Sequence, residues 1–112
     1  MLLREVAQSL DAEEVVRAED PDIEVDSAAA ADLLSDILAT GKEQFVILTG
    51  LVSPQVIRTA QVVGALAVFL VRGKHPTQEI IGLAQAHRIP LYTTSLPLFE
   101  SCVRLAALAK ER

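Results

Sequence analysis

The sequence has no tryptophan and only one cysteine, one methionine and one tyrosine among its 112 residues. Aromatics make up 4% and apolar residues 51%, so the core must be aliphatic, built from Leu, Val, Ile and Ala. The single Cys102 has no partner for an internal disulfide, which points to a reducing cytoplasm. No apolar run reaches the roughly 18 residues of a membrane span. Met1-Leu2-Leu3-Arg4-Glu5 also lacks the basic and apolar regions of a signal peptide. A cytoplasmic protein that does not insert in membranes is the expectation.

A basic excess is missing too. Residues 1–40 carry eleven acids against two bases and residues 41–112 four acids against eight bases, so −9 and +4 make up the net −5. Nucleic-acid binding needs a basic footprint, and the acidic first third argues against it. The mildly basic remainder either balances that third within one globule or attracts an anionic ligand.

Motifs of catalysis are absent as well. Neither Gly41-Lys42 nor Gly73-Lys74 sits in a phosphate-loop frame, and Gly-x-Gly-x-x-Gly does not occur. His75 and His87 are twelve residues apart, and no Cys/His/Asp cluster has metal-ligand spacing, so no metal or cofactor is expected. Asp32 and Asp36, at i and i+4, are the sole candidates for a carboxylate pair, and a solvated helix stripe accounts for them more simply. Cys102, among Phe99, Val103 and Leu105, reads as a core thiol with no adjacent base. The chain is not expected to be an enzyme. A phosphoryl-transfer component, which would need a Mg²⁺ carboxylate pair and a phosphate loop, is the minor alternative.

What is present is a pattern of three short apolar runs, each followed by an amphipathic segment, within 45–95. The runs are Phe45–Gly50, Leu66–Gly73 and Pro90–Ser95. Such alternation indicates βαβ units and a parallel sheet. The fold class is therefore α/β, a small, mostly parallel sheet flanked by helices, in a single domain over residues 1–112.

Taken in order, Leu2–Leu10 reads as a helix and Val15-Val16 as a short exposed strand. Glu19-Asp20-Pro21-Asp22 is a turn, and an extended segment follows through Ile23, Val25 and Ala28–Ala31. A helix over Asp32–Ala39 should bury Leu33, Leu34, Ile37 and Leu38, with Asp32 or Ser27 as N-cap and Gly41 closing it. Phe45–Thr49 is the first central strand. Ser53-Pro54 opens a helix that buries Val56, Ile57, Ala60 and Val63 and stops at Gly64. Strand Ala67–Val71, a helix from Pro76-Thr77 to His87-Arg88, and strand Ile89–Thr93 come next. The last helix, Pro97–Ala109, should bury Val103, Leu105 and Leu108 and place Lys110 and Arg112 at its dipole's negative end.

Ligands of parallel sheets bind beyond the carboxyl ends of the strands. Those ends supply the candidate ligand residues Thr49, Gly50, Arg72, Gly73, Lys74, Thr93, Thr94 and Ser95, which suit a phosphate or carboxylate. The mean hydropathy of +0.37 is high for so small a domain and favours a homodimer, with Leu51 and Val52 as interface candidates.

Asp32-Leu33-Leu34-Ser35-Asp36-Ile37-Leu38, Leu48-Thr49-Gly50, Val71-Arg72-Gly73-Lys74 and Ile89-Pro90-Leu91-Tyr92-Thr93-Thr94 together resemble the DRTGG domain family over nearly the whole chain. Similar domains form the N-terminal part of HPr kinase/phosphorylase and the middle of long phosphotransacetylases. They also lie beside paired cystathionine-synthase-type domains in some pyrophosphatases, and this chain looks like a stand-alone copy. The resemblance implies a regulatory or assembly role, with catalysis housed in other domains. The sequence departs from the family's signature: Gly50 precedes Leu51-Val52 rather than Asp-Arg, and Arg72-Gly73-Lys74 replaces Thr-Gly-Gly. Arg72 and Lys74 would make a different, anion-preferring site. The expected function is a non-catalytic regulatory or ligand-sensing module that self-associates and takes an anionic metabolite or nucleotide. A structural adaptor for a protein partner is the alternative.

Overall fold

The computed structural model describes residues 1–111, and the expected role of Arg112 at a helix terminus lies outside them. Five strands form one sheet in the order β1-β5-β4-β3-β2. They are β1 (Glu13–Val16), β2 (Ser27–Ala30), β3 (Phe45–Thr49), β4 (Val68–Leu70) and β5 (Leu91–Thr93). β2 to β5 are parallel neighbours in sequence order, and β1 closes the far edge antiparallel to β5. The helices are α1 (Leu3–Ser9), α2 (Leu34–Leu38), α3 (Pro54–Val63), α4 (Gln78–Ala86) and α5 (Leu98–Lys110).

The pleat divides the core in two. Phe45, Ile47, Val68, Leu70 and Leu91 face one side, where Ile37 of α2, Val56, Ile57 and Ala60 of α3, and Ile80 and Ala84 of α4 cover them. Val46, Leu48, Phe69 and Tyr92 face the other, under Leu3 and Val6 of α1 and Leu105 of α5. Every residue of β3 and β4 is buried, as strands covered on both faces require. Phe69 and Tyr92 stack in adjacent strands with ring centroids 4.5 Å apart. The three crossover helices α2, α3 and α4 thus share one face, and α1 and α5 cover the opposite one.

Locally signalled elements match the sequence reading. Ser53 accepts the Gln55 N–H at 3.2 Å, Pro54 is the first residue of α3, and Gly64 ends it at φ 73°. Thr77 caps α4 through the Ile80 N–H. Strands β4 and β5 are shorter than expected, because residues next to them pair only through single hydrogen bonds such as Val71 N–H to the Thr49 carbonyl.

Four expectations need correction. α2 begins at Leu34 without a side-chain cap, and Ser27 lies in β2, so neither Asp32 nor Ser27 is its N-cap. At five residues α2 presents little more than one turn to the core. It buries Ile37 and half-buries Leu34, while Leu33 and Leu38 stay 58% and 52% exposed. Asp32 precedes the helix, so it shares no helix face with Asp36. On α5, Leu105 is buried as expected, but Val103 points outward at 51% exposure. Cys102 is half-buried against the α1/α5 core, and burial raises its thiol pKa, which keeps it protonated.

Candidate functional site

The strand carboxyl ends meet along one rim, and the structure divides the eight candidate residues between two places on it. The first lies between β3 and β4. Asp32, just past β2, reaches over the end of β3 and accepts the Gly50 N–H at 2.7 Å and the Thr49 hydroxyl at 3.4 Å. Its other oxygen accepts Arg72 Nη2 at 3.1 Å. Gly50 is buried, and a Cβ there would run into the Arg72 guanidinium, so only glycine lets the cation lie this close to the backbone. Asp32, Gly50 and Arg72 form a closed clasp whose charges answer each other.

Arg72 is held there by its backbone. Arg72 and Gly73 take φ 61° and 68°, and the Lys74 N–H returns to the Val71 carbonyl at 3.3 Å, a turn of the I′ kind. Arg72 and Gly73 also donate to the carbonyls of Leu96 and Thr94 at 2.8 and 2.9 Å. A non-glycine residue in the left-handed region costs roughly 1 kcal/mol. These bonds and the Asp32 ion pair hold it.

The second place lies between β4 and β5. Gly73, Lys74 and His75 follow β4, Thr93, Thr94 and Ser95 end and follow β5, and together they line a cleft of about 320 Å³. Asp11 and Glu13, brought in by β1, complete its wall. Topology makes this opening. The loops after β4 and β5 are tied together by the Arg72 and Gly73 bonds to Leu96 and Thr94. Beyond these bonds one runs to α4 on one face and the other to α5 on the opposite face, and the cleft lies over the end of β5. After β3 and β4 both loops turn to the same face, and there Asp32 and Arg72 close over Gly50.

The floor of the cleft is fixed. The Thr94 hydroxyl donates to the Leu10 carbonyl at 2.6 Å and accepts the Leu96 N–H at 3.2 Å. Its walls are open: Lys74, His75 and Ser95 are exposed, and among the described residues Lys74 and His75 join no ion pair. Asp11 is answered by Arg104 Nη1 at 3.1 Å. Behind this wall the Tyr92 hydroxyl donates to Glu14 at 3.1 Å. Burial first, and then the neighbouring Glu14 charge, push its pKa well above the ordinary value, so Tyr92 stays neutral and ties β1 to β5.

Sequence reasoning grouped Arg72 with Lys74 as free cations. The geometry separates them, since Arg72 is paired with Asp32 whereas Lys74, among the described residues, joins no ion pair. It also passed over Asp32 as a clasp residue and Asp11, Glu13 and His75 as cleft residues. Asp32 carried a usable signal, because it follows a strand end just as Gly50, Arg72 and Thr94 do. Leu51 packs partly buried on the α3 side of the core, and Val52 beside it is 37% exposed.

No protein-family profile matches the sequence, and no curated protein is significantly similar to it. Among solved structures, the fold matches the CBS and DRTGG domains of the regulatory region of Clostridium perfringens pyrophosphatase. That protein was crystallised with its activator, diadenosine tetraphosphate. The match has a TM-score of 0.70 at 18% identity and covers 91% of this chain. The chain spans less than half of that one, 44%. At this identity the likeness establishes the fold, and the expected DRTGG-like α/β architecture is the one observed. Among the described residues no helix is long and apolar enough to cross a membrane.

Proposed function

We propose that the chain is a non-catalytic regulatory module that senses an anionic metabolite or nucleotide in the cleft between β4 and β5 and works as a self-associated unit. The observation that carries this reading is the cleft over the end of β5, with Lys74 on its wall and, among the described residues, in no ion pair. A phosphate or carboxylate would sit against Lys74, His75 and the Ser95 hydroxyl. Glu13 opposite would accept hydroxyl or amino hydrogens of the same ligand, which suits a phosphorylated, hydroxyl-bearing compound. The pyrophosphatase neighbour's nucleotide activator supports the chemical class. Arg72 contributes indirectly, since its turn sets the direction in which Lys74 leaves the strand.

The non-catalytic part of the reading is supported by Asp32. Its carboxylate is occupied by Gly50, Thr49 and Arg72, so it is not free to hold a magnesium ion with Asp36. Calorimetric titration with ATP and with diadenosine tetraphosphate, on the native chain and on Lys74→Ala, tests the proposal. Binding to the native chain, lost in the variant at unchanged melting temperature, is expected. Equal affinity in both, or no binding of either probe, contradicts the site.

A further inference from the structure

Helix α5 is covered on one side only. Leu105 is buried, whereas Phe99 is 77% exposed, Val103 51%, and Ala106 is exposed too. Spaced i, i+4, i+7, these three share one face of the helix. Beside them runs an apolar groove of about 310 Å³ between α5 and β2, whose lining includes Ala28, Ala30, Cys102, Ala106 and Ala109. β2 is one of the sheet's two edge strands, and α5 stops short of covering it. The face therefore has large side chains on the N-terminal half of one helix and a hollow of alanines beside its C-terminal half.

That arrangement is complementary to itself. We infer that this face is a two-fold interface with a second copy of the chain, the two α5 helices packing antiparallel about a dyad between Cys102 and Val103. In this register Phe99 of each copy lies opposite Ala106 of the other, and Cys102 lies opposite Val103, the reciprocal pattern of an isologous contact. The charges agree with it. Glu100 of each copy falls about one residue's rise, roughly 1.5 Å along the axis, from Arg104 of the other. Arg104 uses only Nη1 toward Ser9 and Asp11, which leaves its remaining N–H donors for that carboxylate. An unrelated partner would have to supply both the knobs and the hollows in this order. A second copy does so by symmetry.

The inference deepens the self-association part of the proposed function and replaces the Leu51–Val52 turn as its location. Sedimentation equilibrium of the full chain should show a dimer. The double variant Phe99→Glu/Val103→Glu should raise the dimer dissociation constant by roughly a hundredfold or more. Both positions are exposed in the single chain, so the variant should keep the native circular-dichroism spectrum and melt cooperatively, at a temperature that no longer depends on protein concentration. Val103→Cys in a Cys102→Ser background should oxidise to a covalent dimer, while Val62→Cys on α3, 76% exposed in the folded chain, should not. A native dimer that survives the double variant, or that cross-links through Val62→Cys instead, overturns this interface but keeps self-association. A native monomer overturns both, and neither outcome touches the ligand cleft.

Discussion

The boundaries β3/β4 and β4/β5 use the same materials, namely strand-end hydroxyls, a glycine and a basic residue, yet one is sealed and the other open. At β3/β4 both connections turn to the same face, and Asp32 and Arg72 close over Gly50. At β4/β5 the connections are bonded to each other at Arg72–Leu96 and Gly73–Thr94 and part only beyond that, and Lys74 and Ser95 are left facing a cleft. Residue type is therefore a poor guide to which rim segment binds. The direction in which each loop leaves the sheet decides it, because that sets whether opposite charges can reach each other or only a ligand can.

Substitutions on the two sides should separate them. The largest effect falls on the floor of the open side. Thr94→Val leaves the buried Leu10 carbonyl and the Leu96 N–H without their hydroxyl partner and should cost about 2 kcal/mol in chemical denaturation. On the sealed side, Asp32→Ala orphans the Gly50 N–H and should cost about 1–2 kcal/mol by the same measurement. The half-exposed Arg72 ion pair adds little to that. It should also free Arg72, so that the variant acquires a second, weak anion site that raises the stoichiometry of ATP binding. The smallest effect isolates the backbone. Arg72→Gly and Arg72→Ala both lose the guanidinium, but only glycine is at ease at φ 61°, so the glycine variant should be the more stable by roughly 1 kcal/mol.

How much of this the sequence carried depends on how local each signal was. Ser53-Pro54 and Gly64 bounded α3 because cap and stop act within a few residues, and the unbroken apolar run of β3 required cover on both faces. Leu33 and Leu38 misled because a helical stripe was read across a segment that winds for only five residues. Val103 was placed inward by period alone, although the strand beside α5 is an uncovered edge. The site was less legible still. Asp32 meets Gly50 and Arg72 across 18 and 40 residues of chain, and Asp11 and Glu13 reach the cleft only because β1 pairs with β5 at the opposite end of the sequence. Sequence proximity put Arg72 with Lys74, and a single left-handed turn sends them to opposite sides of β4.

The most direct test of the account is an amide chemical-shift map of the native chain titrated with ATP. Saturable shifts should concentrate at Gly73, Lys74, His75 and Ser95, with Gly50 and the Asp32 clasp nearly still. Shifts centred on Gly50 and Arg72, or none along the rim, would contradict it.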